Sequence, residues 1–220
     1  MSWDWNVLGE AGLQFFGKMS ASISHEIKNA LAIINESAGL LDDLSLRAER
    51  GIPVEPERLK KQAGNILKQI RRADGIIQNM NKFAHSIDEP LKNVDIGEMV
   101  ALVTGLSSRF ATMKGITVET QPPASLLVVH SSPFFLENLL YLCLDFCMDN
   151  AGPGKTVSLS IGKTEAGAEI RFSRLDGLAE VAEGVFPGER VTVLLSALGA
   201  KLEVSKERKE ISITFGGKLA

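Results

Sequence analysis

Cysteine is nearly absent from this chain, with two in 220 residues. Cys143 and Cys147 stand one helical turn apart, a spacing that suits a disulfide badly. They are expected to be buried, reduced thiols of a cytosolic protein. Histidine is almost as scarce, with His25, His85 and His130 only, and no spacing among these residues supplies a ligand set, so no metal site is expected. No charge of one sign dominates either. Lysine and arginine total 24 against 27 acids, interspersed, for a net charge of −3, which argues against a nucleic-acid surface or a polybasic membrane patch. Long apolar runs are also missing. The most apolar window, Phe134 to Met148, is interrupted by Glu137 and Asp145, and the start Met1-Ser-Trp-Asp-Trp-Asn lacks the basic and apolar parts of a signal peptide. No membrane segment is expected, and the expected location is the cytoplasm. What the chain does have is 45% hydrophobic content, enough for one or two domains with a substantial core.

The apolar residues fall first into a helical pattern. Phe16, Ser20, Ile23, Ile27, Ala30, Ile34, Ser37, Leu41 and Leu44 recur at steps of three and four, predicting a helix from about Ala11 to Arg47 behind a tail over 1–10. The break Gly51-Ile-Pro53-Val-Glu-Pro56 follows, with Pro56 suited to a first helical turn. The next helix repeats in heptads: Leu59, Ile66, Ala73 and Met80 at one position, Ala63, Ile70, Ile77 and Ala84 at the other. The segment 11–88 thus reads as a helical hairpin. Two helices packed only on each other cannot also bury Leu31, Ala38, Leu67 and Ile76, so a homodimer forming a four-helix bundle is predicted. Counting from a tip near Ile52 puts Gly75 and Gln78 near the level of His25.

His25 lies off that seam. It is about 200° around the helix from both Ile23 and Ile27, with Ser22 and Asn29 assigned to its face. Neutral imidazole is a good nucleophile at cytosolic pH, a neighbouring carboxylate can fix its tautomer, and an amide can hold a water. The run Ser22-Ile-Ser-His25-Glu26-Ile-Lys-Asn29 resembles the phospho-acceptor box of two-component sensor histidine kinases. That resemblance implies that His25 is the phosphorylated nucleophile, that Glu26 orients its ring and takes its proton, and that Asn29 supports dephosphorylation of a receiver domain. Lys28 is a possible charge partner.

After the linker Ser86–Asn93 the pattern becomes mixed α and β over 94–220. Strands are predicted at 93–96, 116–120, 126–130, 157–161, 169–174, 201–205 and 210–215, with helices at 97–113, 133–149 and 189–198. The fold class is α+β. The element order resembles the ATP-binding α/β sandwich of sensor kinases, but the nucleotide elements depart from the family pattern. Leu142 and Phe146 occupy the positions of two asparagines that would serve magnesium, which wants hard oxygen donors. Asp145, Asp149 and Asn138 are the neighbouring polar groups that could substitute. Leu175-Asp176-Gly177 keeps an aspartate beside one glycine of the adenine-reading turn, so Asp176 and Gly177 would serve only if ATP is bound. About a dozen residues separate it from the next helix, too few for the usual lid, and no glycine pair opens that helix. Gly152-Pro-Gly-Lys-Thr156 fails the spacing of a phosphate loop and reads as a helix-to-strand turn.

A retained acceptor box beside an eroded ATP domain resembles dimeric histidine phosphotransferases derived from sensor kinases. The implied function is a phosphorelay intermediate that passes a phosphoryl group between His25 and receiver-domain aspartates, needing no cofactor of its own because the receiver supplies Mg²⁺. The alternatives are an ATP-dependent histidine kinase with an atypical nucleotide site, and a non-catalytic dimeric adaptor or response-regulator phosphatase. So few residues before His25 imply either a piece of a longer protein or a soluble relay component.

Overall fold

The computed structural model describes residues 5–165 and 167–216. Two helices lead: α1 spans Trp5–Glu49 and α2 spans Pro56–Ala84, beginning at the proline. The chain divides into two compact units, one holding residues 19–81 and the other holding the described residues up to Lys18 together with those from Lys82 onward.

In the hairpin unit, α1 buries Met19, Ser22, Ile23, Ala30 and Ser37, and α2 half-buries Ile66, Ala73 and Ile76. The predicted heptad residues Leu59, Ile70, Ile77 and Met80 are exposed, as are Leu31 and Leu67 at 55% and 53%. One chain therefore leaves an apolar stripe uncovered along both helices.

Two expectations about α1 are corrected. The helix starts at Trp5, so the predicted tail is helical over 5–10, and Leu8, Ala11 and Phe15 carry the apolar stripe into it. Near its start the stripe also runs one residue earlier than predicted, through Phe15 and Met19, while Phe16 and Ser20 are exposed. The larger side chains set the buried line. Phe83 sits at the centre of an aromatic group, edge-on to Phe15 with centroids at 5.4 Å and stacked on Phe16 at 5.5 Å. Gly12 has a packing reason: a Cβ there would lie 3.2 Å from the ring of Phe134.

The second unit is an α+β sandwich. Its elements are β1 (Lys92–Asp95), α3 (Ile96–Lys114), β2 (Thr117–Gln121), β3 (Val128–Ser131), α4 (Pro133–Asp149), β4 (Thr156–Thr164), β5 (Gly167–Ser173), α5 (Glu189–Leu198), β6 (Ala200–Ser205) and β7 (Glu210–Gly216). The main sheet has the order β2-β4-β5-β7-β6, parallel between β2 and β4 and antiparallel elsewhere; β1 and β3 form a separate antiparallel pair. Alternation sets the faces: Ala168, Ile170 and Phe172 of β5 are buried beside Phe215, Ile213 and Ile211 of β7, while Glu169 and Arg171 pair with each other at 2.7 Å on the other face. Local chemistry ends the helices. Asp95 caps α3 by accepting from the N–H groups of Gly97 and Glu98, and Gly115 and Gly199 take left-handed conformations after α3 and α5.

α4 is buried on nearly every side, including Cys143 and Cys147, whose thiols burial pushes upward. It also buries Glu137 at 1% exposure, leaving Oε2 without a partner. Burial pushes this carboxyl up to about 8, opposed by the Ser86 hydroxyl and the charge of Lys92.

Candidate functional site

The acceptor box lies within α1. His25 and Asn29 are both exposed, one turn apart. Glu26, one step of about 100° around the helix, is half-buried and reaches α2, where Arg72 Nη2 donates to its Oε1 at 3.1 Å. Ser22 is buried, correcting its assignment to the exposed face; it stands beside Ile23 on the apolar line set by Met19. Ala32 and Glu36, further along α1, are exposed like Lys28. Arg72 was missed from the sequence. Counting from the tip pointed to Gly75 and Gln78, and one arginine among the several cations of α2 carries no marker of its own.

In the second unit, the two positions aligned with the kinase asparagines are apolar and packed. Leu142 is half-buried, and the ring of Phe146 stacks on that of Phe186 with centroids 4.0 Å apart and planes 11° from parallel. Two of the three candidate substitutes are occupied. Asp145 holds Lys114 at 2.6 Å and Lys18 at 3.3 Å and accepts from the Tyr141 hydroxyl, and Asp149 holds the same Lys114 at 2.7 Å. Burial alone would raise the Asp145 carboxyl, but the two lysines outweigh it and hold it below its ordinary value. Asn138 is buried with its Nδ2 unpartnered.

Asp176 and Gly177 have structural partners of their own. Lys209 Nζ bonds Asp176 Oδ1 at 2.6 Å, and the Gly177 N–H donates to the Asn150 carbonyl at 3.0 Å. A Cβ on Gly177 would come within 3.0 Å of that carbonyl oxygen, and a Cβ on Gly152, at φ +67°, within 2.6 Å of the Asp176 Cβ. Two turns pressed together thus explain both glycines. The segment Gly152–Gly154 is a short 3₁₀ turn leading from α4 to β4, as the failed phosphate-loop spacing predicts. Among the described residues no group of three or more His, Cys, Asp or Glu is placed to hold a metal ion, and no helix is long and apolar enough to cross a membrane.

Residues 17–88 match the model of the His Kinase A (phospho-acceptor) domain family. No curated protein matches the chain. Among solved structures, a bacterial phosphotransferase is similar in fold at 15% identity and a TM-score of 0.50, over 91% of this chain and 95% of that one. The histidine kinase AdeS of Acinetobacter baumannii aligns over 87% of this chain and 97% of its own, with 13% identity and a TM-score of 0.48. The ATP-binding domain of PrrB from Mycobacterium tuberculosis aligns over 58% of this chain and 97% of its own, with 18% identity and a TM-score of 0.44. Domains of the matched family dimerise and pair with response regulators in two-component systems. Residues 17–88 are thus similar to His Kinase A phospho-acceptor domains, and the chain as a whole shares the fold of the bacterial phosphotransferase.

Proposed function

We propose that this protein is a phosphorelay histidine phosphotransferase that carries a phosphoryl group on His25 between receiver-domain aspartates. The observation that carries this reading is the contrast between the exposed His25 and the packed nucleotide positions, above all the Phe146–Phe186 stack where a magnesium-binding asparagine would stand. Leu142 offers no oxygen, and the Asp176 carboxylate is engaged by Lys209. In this reading the phosphoryl source is a phosphorylated receiver and not ATP.

In the transfer, an unprotonated imidazole nitrogen of His25 attacks the phosphorus of an aspartyl phosphate. The new N–P bond forms as the P–O bond breaks, and the aspartate leaves as a carboxylate. The other ring nitrogen keeps its proton, with Glu26 orienting the ring. The reverse reaction delivers the group to a second receiver. Positioning and charge compensation do most of the work in such loose transfers. The Mg²⁺ belongs to the receiver. Asn29, on the same exposed face, holds water for the competing hydrolysis. The working form is a homodimer in the cytoplasm, and the uncovered apolar stripe of Leu31, Leu67, Ile70 and Ile77 supports that assembly.

The test is labelling of purified protein and a His25→Ala variant, first with radiolabelled Mg-ATP and then with phosphorylated receiver domains. Acid-labile label from the receiver and none from ATP is the expected result. Label from ATP that requires His25 would make the protein a kinase, and label from neither source would leave an adaptor or phosphatase.

A further inference from the structure

The Glu26 carboxylate has a partner that the acceptor box does not supply. Its side chain is only 16% exposed, and the Arg72 guanidinium reaches it from the other helix of the hairpin at 3.1 Å. We infer that Arg72 is a positioning residue for His25, clamping Glu26 so that it works as a hydrogen-bond acceptor and not as a base. A guanidinium cannot give up its proton in this setting, and its bond to a carboxylate is charge-assisted and directional. The bond to the guanidinium occupies one carboxylate oxygen and fixes the direction of the side chain. Only Oε1 is engaged by Arg72, and the other oxygen keeps lone pairs for the imidazole N–H.

The clamp has a second effect on the ring. After the group arrives, the proton on the second nitrogen stays on the ring, because the clamped carboxylate does not remove it. A phosphorylated imidazolium is a better phosphoryl donor than the neutral phosphoimidazole, which suits a carrier that must release what it accepts. This last consequence rests on the phosphotransfer reading; the clamp itself does not.

The experiment uses the full chain as wild type, Arg72→Gln, Arg72→Lys, Glu26→Gln and the Arg72→Gln/Glu26→Gln double variant, with thermal melts to show that each is folded. The first readout is the tautomer of the His25 ring by ¹⁵N NMR. The second is the rate of His25 phosphorylation by potassium phosphoramidate, in which the ring nitrogen displaces ammonia from phosphorus and no protein donor takes part. Arg72→Gln is expected to mix the two neutral tautomers of the His25 ring and to slow labelling severalfold at pH 7. Arg72→Lys should recover part of both changes, and the double variant should label no more slowly than Glu26→Gln. An unchanged tautomer ratio and rate in folded Arg72→Gln, or the same loss with and without Glu26, overturns the clamp. Failure of the phosphotransfer reading looks different: phosphorylated receivers then leave even the wild type unlabelled, while the NMR and phosphoramidate signatures of the clamp persist.

Discussion

Glu137 gives the α/β unit a pH dependence of unusual sign. Its carboxyl is buried in α4 with one oxygen unpartnered, and it ionises near 8 in the folded chain against 4.5 for the ordinary group. The proton is thus bound more tightly by the folded state. Stability from this group is full below about pH 4.5 and is lost as pH rises toward 8, the reverse of a salt-bridged acid. At about 1.4 kcal/mol per pH unit, the loss grows from nothing near pH 4.5 to about 3 kcal/mol at pH 7 and levels off above pH 8. Glu137→Gln keeps the shape and a donor but cannot ionise. In urea unfolding followed by circular dichroism at pH 5, 6, 7 and 8, the variant should match the wild type within about 1 kcal/mol at pH 5 and exceed it by about 3 kcal/mol at pH 7. Other carboxyls cancel in the difference between the two proteins. Parallel stability curves across this range would refute the argument and mean that Glu137 is solvated or paired when charged.

Phe83→Ala removes the ring shared by Phe15 and Phe16 and should cost about 3–5 kcal/mol, read as a lowered urea midpoint. Ile77→Asp puts a charge into the uncovered heptad stripe, and sedimentation equilibrium should show a monomer for the variant and, as proposed, a dimer for the wild type. The double change Leu142→Asn/Phe146→Asn should not create ATP binding by calorimetry, because Asp176 remains tied to Lys209 and Asp145 to its lysines. Micromolar binding by that variant would mean that the apolar pair alone excludes nucleotide.

Much of the fold was legible because its elements are punctuated. Pro56 and Pro133 open α2 and α4, Gly199 closes α5, and those boundaries match the expected ones within a residue or two. The start of α1 was not legible. Gly9, Gly12 and Gly17 lower helix propensity, yet tertiary packing overrides propensity there, and the Phe134 ring sits where a Gly12 side chain would stand. His25, Glu26 and Asn29 could be read from local spacing, whereas Arg72 could not, since it comes to Glu26 from 46 residues away. The Asp176-Gly177 pair was ambiguous for a different reason. Its glycine answers to the Asn150 carbonyl as well as it would to a nucleotide motif, so the two origins leave the same letters in the sequence.

The stacked Phe146 and Phe186 rings also bear on history. An asparagine introduced at 146 alone would set an amide against the face of a phenyl ring, and one at 142 would enter a half-enclosed apolar neighbourhood, each with little to bond. Each step back toward a polar site therefore lowers stability before any later step can restore a use for it. Selection on the folded state alone would therefore preserve this stacked pair.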